Sequence, residues 1–198
     1  MMTDIRPIGL PPIPFVSSFH ETNARTYVHV GSRDPGVWFF SLEASSALAV
    51  LGACALLGLP YFSACIEMTF LNTRNASGSV IDYRLRRNWP ARESASCKVR
   101  YAPFGPAAVA ATGTLEYFLV ERYVLYSQYG HRLYRGRIHH TPWPLRCASV
   151  DGLEESLLAA AGMARPDETP LVHYGGDVHV EIFPTERVGM RGRIGGVT

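Results

Sequence analysis

Apolar and polar residues along this chain alternate far more often than they recur at helical spacing. Residues 25–30 set Arg25, Tyr27 and His29 on one face and Thr26, Val28 and Val30 on the other, the period of two of a half-buried strand. A turn at residues 32–36 leads into Val37, Trp38, Phe39, Phe40, Ser41 and Leu42, a run bulky enough for a central strand, and the two segments predict a hairpin. Strand character returns at residues 61–71, 79–87 and 95–102. Residues 123–129 and 132–140 predict a second hairpin around Gly130 and His131, ended by Pro142 and Pro144. Residues 171–174 and 177–183 complete the strands.

Helical spacing is confined to three stretches. Residues 43–57 are dominated by Ala and Leu and stopped by Gly58 and Pro60; being apolar nearly all round, this helix is expected to be buried. Thr114 can cap a short helix running to Arg122, with Glu116 placed favourably against its dipole. Asp151 and Glu154 form a capping-box variant that predicts a helix closing at Gly162. Residues 105–113 read as a Pro/Gly/Ala connection. The prolines at 7, 11, 12 and 14 make residues 1–19 an extended lead-in, and the Gly/Arg-rich residues 185–198 are expected to fray. About eight strands and two or three helices predict an α+β fold, a large antiparallel or mixed sheet in one domain over residues 20–184.

Composition removes several functions. A net charge of +2, arginines scattered along the chain and aromatic residues confined to strand cores leave no nucleic-acid platform. The longest apolar run, residues 47–59, is too short to span a bilayer, and the N-terminus has no charged region followed by an apolar core, so no membrane partner and a cytoplasmic location are expected. Cys54, Cys65, Cys97 and Cys147 show no zinc-ligand spacing and read as reduced thiols. No phosphate loop, nucleophile elbow or dinucleotide fingerprint is present, and no cofactor is expected. Of 19 basic residues only Lys98 is a lysine, which bears directly on the chemistry below.

Four stretches carry a resemblance: residues 20–28 (HETNARTYV), 36–42 (GVWFFSL), 115–123 (LEYFLVERY) and 132–145 (RLYRGRIHHTPWPL). They resemble the YqjF-like family of uncharacterised bacterial proteins, over roughly residues 7–187. That family is grouped with the acetoacetate decarboxylase-like superfamily, and the resemblance implies a sheet rolled into a cone or partly open barrel around a polar cavity. Members of the family carry a further strand-containing segment ahead of the point where this chain starts. An incompletely closed barrel is therefore expected, with an exposed sheet edge that would invite homo-oligomerisation.

The superfamily's best-known chemistry uses the lysine of a Gly-x-Pro-Lys stretch. Here Gly58, Leu59 and Pro60 are followed by Tyr61. A phenol cannot form an imine with a ketone, and Lys98 shares a strand face with Arg100, the usual mark of a solvated face, so Schiff-base decarboxylation is not expected. The resemblance places Glu21 as the acidic residue of the cavity.

The expected cavity takes a small anionic or carbonyl compound. Glu21, Arg25, Tyr61, Arg122 and Trp38 are the candidate substrate-binding residues, and His139, His140 and Glu116 the candidate catalytic ones. Arg25 could receive a carboxylate bidentately, or could instead sit in an ion pair with Glu21 or Glu116. Glu121 and Arg122 read as a buried charge pair of architectural use. His139 and His140 are adjacent on a strand and must point to opposite faces, so at most one reaches a cavity; histidine titrates near neutrality and suits acid–base work. Asp177, His179 and Glu181 share a strand face, but an amphipathic strand showing water its polar side explains them, and no metal is expected. If catalytic, the protein would run lyase, hydratase or isomerase steps without a Schiff base. The rival reading is a non-catalytic structural or protein-interaction module.

Overall fold

The alternating segments pair edge to edge into one mixed sheet, with thirteen strands among the described residues. The computed structural model describes residues 3–7, 19–31, 33–48, 50–51, 54, 58–71, 79–90, 93–176, 178–189 and 194–196. The strands are β1 (Thr3–Pro7), β2 (Glu21–Val30), β3 (Arg33–Ala44), β4 (Tyr61–Leu71), β5 (Val80–Trp89), β6 (Ser96–Val109), β7 (Val124–Tyr129), β8 (Arg132–His140), β9 (Pro144–Glu155), β10 (His173–Gly175), β11 (His179–Ile182), β12 (Glu186–Arg187) and β13 (Ile194–Gly196). Two short helices, Leu115–Val120 and Leu157–Ala160, accompany them. The fold is α+β and strand-rich, as the alternation predicts. The spatial order is β1-β11-β8-β7-β3-β4-β5-β6-β9-β10, and among the described residues no pairing joins β1 to β10, so the sheet is not closed.

β3 is the hub. Antiparallel β2 runs along one edge, while the other edge is shared by two parallel partners, β7 at Val37 and Trp38 and β4 at Leu42 to Ala44. Gly36 permits the approach to β7: a Cβ there would stand 2.6 Å from the Val124 carbonyl oxygen. Val37, Leu42, Leu59 and Leu125 form a buried cluster at this junction.

The strand at β3 outruns its predicted end. Residues 43 and 44 belong to it rather than to a helix, and helical backbone is described only at residues 47, 48, 50, 51 and 54; the remaining positions of that expected helix lie outside the described residues. Nor is the segment buried all round. Val50 is fully buried against Phe19 and Ala44, whereas Leu48 and Leu51 are 64% and 51% exposed.

Pairing also overrides two other local signals. β6 continues to Val109 through the expected connection, with a register irregularity between Phe104 and Ala108. β9 continues to Glu155 because Arg100, Val99 and Lys98 of β6 pair with Gly152, Leu153 and Glu154, which leaves only Leu157–Ala160 helical. The lead-in supplies β1, parallel to β11, and the tail supplies β12 and β13, paired with β8 and β2. Among the described residues no helix is long and apolar enough to cross a membrane.

Continuing β3 through residue 43 puts a carboxylate in the interior. Glu43 pairs with Arg87 of β5, their side chains 0% and 4% exposed. The Ser41 hydroxyl donates to the other Glu43 oxygen at 3.2 Å, and the Arg87 guanidinium lies 3.9 Å above the Phe62 ring centroid. Removing one partner of such a pair leaves an uncompensated buried charge, which costs about 3–5 kcal/mol. Arg87→Leu is therefore expected to lose about that much stability in urea unfolding. Arg135→Ala, at a more exposed pair with Asp34 and Glu186, should lose far less. Equal losses for the two variants would show that Glu43 does not need its partner.

Candidate functional site

β2 begins earlier than the alternation of residues 25–30 indicates, and the extension puts Glu21, Asn23 and Arg25 on one wall of a cavity of about 360 Å³. The surface continues across four strands that follow β2 in the same sheet: Val37 and Phe39 of β3, Leu125 of β7, Ile138 of β8 and Val180 of β11. Val120 and Arg122 enter from the helix Leu115–Val120 and the residues after it, and His140, Trp143, Leu145, His173 and Gly175 complete the rim.

That short helix exists where Thr114 predicts it. The Thr114 hydroxyl accepts from the Tyr117 backbone N–H at 3.2 Å, and Phe118 packs on Tyr27 with ring centroids 4.9 Å apart. The chain leaving the helix thus lies over β2 and brings Arg122 alongside Arg25.

The two guanidinium groups are held by neutral acceptors. Arg25 Nη2 donates to the Leu119 carbonyl at 3.2 Å, the same oxygen that accepts from the Tyr27 hydroxyl at 3.0 Å. Arg122 Nη1 donates to the Glu121 backbone carbonyl at 2.9 Å, its guanidinium sits 4.2 Å from the Phe118 ring centroid, and its Nε is buried with no hydrogen-bond partner among the described residues. Among the described residues no carboxylate forms an ion pair with either arginine. Two expectations are corrected here. Arg25 is not paired with Glu21 or Glu116, and Arg122 bonds the carbonyl of Glu121, not its carboxyl. Burial, with a smaller contribution from the neighbouring Arg25 charge, lowers the pKa of Arg122.

The carboxyl groups near the cavity are occupied otherwise. The Tyr61 hydroxyl donates to Glu21 Oε2 at 2.8 Å, and Asn23 Nδ2 donates to Oε1 at 3.4 Å. Burial raises the Glu21 pKa against these bonds, and burial followed by the Glu21 charge pushes Tyr61 well above the ordinary phenol range. Glu121 is buried; it accepts from the Tyr123 hydroxyl and, at 3.1 Å, from the Trp143 backbone N–H. Burial and this bond push Tyr123 up to about 12. Tyr123 in turn stacks on His140 at 4.6 Å. His140 Nδ1 lies 2.9 Å from the Thr141 carbonyl, which can only accept, so Nδ1 carries hydrogen and Nε2 is the accepting nitrogen of the neutral ring.

Of the candidate residues, Glu21, Arg25, Arg122 and His140 come together on the cavity. Tyr61 stands behind Glu21, its ring packed against the Leu42 and Val50 clusters. Trp38 lies on the opposite face of β3 from Val37 and Phe39, packed with Val28, Val124 and Tyr126, because strand side chains alternate. His139 points outward, 66% exposed and 3.8 Å from Glu181, as alternation with His140 requires. Glu116 does not line the cavity but lies 3.9 Å from Nε2 of His173, which does. Lys98 lies in a different, shallow depression with Asp82, Arg100 and Asp151. Asp177 lies outside the described residues, and no cluster able to hold a metal ion is found among the described ones. Asn23, Trp143 and His173 went unpredicted. Asn23 follows from period two once β2 starts at Glu21, but Trp143 and His173 arrive only through tertiary pairing.

The DUF2071 family, described as an uncharacterized conserved protein, matches residues 1–179. The chain belongs to DUF2071. It is also similar to the uncharacterized protein YqjF of Bacillus subtilis (strain 168), 36% identical over 187 residues that cover 94% of this chain and 74% of that protein. No solved structure matches the chain.

In this DUF2071 protein the raised Glu21 carboxyl has a measurable consequence. Above its ordinary pKa of 4.5 the native state keeps a proton that the unfolded chain has released, so stability drawn from Glu21 is complete below that value and is lost as pH rises through the folded pKa. Urea unfolding of wild type and Glu21→Gln from about pH 4 to about pH 8 should show wild type losing ground to the variant as pH rises through that window. A pH-independent difference would contradict a carboxyl raised by burial.

Proposed function

We propose that this DUF2071 protein is a small-molecule-binding domain of the acetoacetate decarboxylase-like type, its sheet forming an open cone whose cavity takes a small carboxylate or carbonyl compound. One observation carries the reading: two guanidinium groups share a cavity wall and, among the described residues, neither forms an ion pair with a carboxylate. Arg25 is exposed and Arg122 half-buried, so an incoming anion can reach both, and guanidinium suits a carboxylate bidentately.

Acid–base groups stand beside that position. Glu21, with its pKa raised, can hold or release a proton near the cavity wall, and His140 offers Nε2 as an acceptor. Together they suit proton movement in a lyase, hydratase or isomerase step on a compound whose carboxylate the arginines hold. Imine formation has no amine on this wall, since Tyr61 follows Pro60 and Lys98 lies elsewhere.

Thermal unfolding against keto, hydroxy and unsaturated acids is expected to raise the melting temperature by about 5–10 °C at a hundredfold excess over Kd. Arg122→Gln, folded but lacking one guanidinium, should lose most of that rise. No response from any acid would turn the reading toward the non-catalytic interaction module. Borohydride treatment with a ketone should leave the protein unmodified, and a covalent adduct on Lys98 would reverse the view of its chemistry.

A further inference from the structure

An anion alone leaves the larger part of the cavity unused. Phe39, Val37, Leu125, Ile138 and Val180 stand on strands lying side by side in the order β3, β7, β8, β11. Their register staggers them across the sheet. Val37 is opposite Leu125, Leu125 is opposite Gly136, the Ile138 N–H bonds the Tyr123 carbonyl, and Val180 is opposite His140, so the apolar side chains step diagonally from β3 to β11. Four strands spaced about 4.8 Å apart make this apolar floor about 14 Å wide. The charged groups are not spread over it: Glu21, Arg25 and Arg122 enter from β2 and from the residues after the Leu115–Val120 helix.

We infer that the ligand is an amphiphilic monocarboxylate, its carboxylate held by Arg25 and Arg122 and its apolar body laid across the four-strand floor. The inference rests on the anion-binding reading above and narrows its ligand class. A polar ligand of the same length would have to desolvate hydroxyl or carbonyl groups against Val, Leu, Ile and Phe side chains, which offer no hydrogen bond in return. A second carboxylate laid over the floor would meet that same apolar surface, His140, level with Val180, being the polar group that borders it. The cavity volume sets the scale. At about 30 Å³ per water-sized group, 360 Å³ accommodates roughly twelve non-hydrogen atoms, the size of a ten-carbon straight-chain acid.

Calorimetric titration of the full chain with straight-chain acids from acetate to dodecanoate tests this, with octanamide and octylammonium as head-group controls. Affinity should rise about fourfold per methylene and level off near the ten-carbon acid. Arg122→Gln should weaken every acid by tenfold or more while keeping the same step per methylene. Val180→Ser, at the edge of the floor, should shrink the step for the longer acids only. Equal affinity for acetate and octanoate would overturn the apolar body while leaving the anion site intact. Octanamide or octylammonium binding as tightly as octanoate would overturn the carboxylate head. Failure of every acid would remove the anion site itself, and this inference with it.

Discussion

Everything about the cavity follows from how a few buried carboxyl groups are partnered. Glu43 is committed to Arg87 in the interior, Glu121 to the Tyr123 hydroxyl and the Trp143 N–H, and Glu21 to the Tyr61 hydroxyl and Asn23. Each finds a donor before it can reach an arginine of the cavity wall. Among the described residues Arg25 and Arg122 are left with backbone carbonyls and aromatic faces, which do not neutralise charge and leave the Arg122 Nε hydrogen without an acceptor. The proposed anion site rests on that distribution, not on any one residue.

The sheet enforces it. β3 must remain a strand as far as Ala44 for Glu43 to lie over Arg87 of β5, and the same continuation pairs Glu21 of β2 with Ala44 and brings Tyr61 of β4 next to Leu42. Tyr61, placed where the resemblance sets a Schiff-base lysine, therefore acts as a hydrogen-bond donor to Glu21. Exchanging an amine for a phenol here removes a nucleophile and supplies a neutral partner for the acid, so Glu21 does not need Arg25. Glu121 makes the second brace. By holding the Trp143 backbone it fixes the corner against which His140 and Tyr123 stack.

Local sequence patterns reported the strands well where alternation and turn chemistry agreed. The hairpin of β7 and β8 was legible because Gly130, at φ 59°, supplies the left-handed turn between two alternating runs. It failed where pairing at long range outvoted a local signal. Asp151 to Glu154 has the look of a helix start, yet these residues extend β9 because β6 offers a complete ladder. Glu43 was hidden for a similar reason: read as the first residue of an Ala/Leu helix, it gave no hint of an interior ion pair. Of the cavity, Arg25 and one of two histidines were legible from residue type and strand period, Arg122 from its place at the end of a capped helix, and Glu21 only through the family resemblance. Trp143 and His173 were not, because their positions are set by β9, β10 and the Pro142–Pro144 corner, which no local period encodes. Trp38 was misassigned by one position, the error that a period of two punishes most.

The most direct test watches the arginines themselves. In a ¹⁵N-resolved spectrum of the arginine side chains, titration with hexanoate should move the Arg122 Nε–H resonance progressively and to saturation, because that buried donor has no hydrogen-bond partner among the described residues. Hexanol, of the same length but uncharged, should leave it in place. A resonance that ignores saturating hexanoate, or that answers hexanol equally, would mean that the uncompensated guanidinium pair is not a receptor for carboxylate.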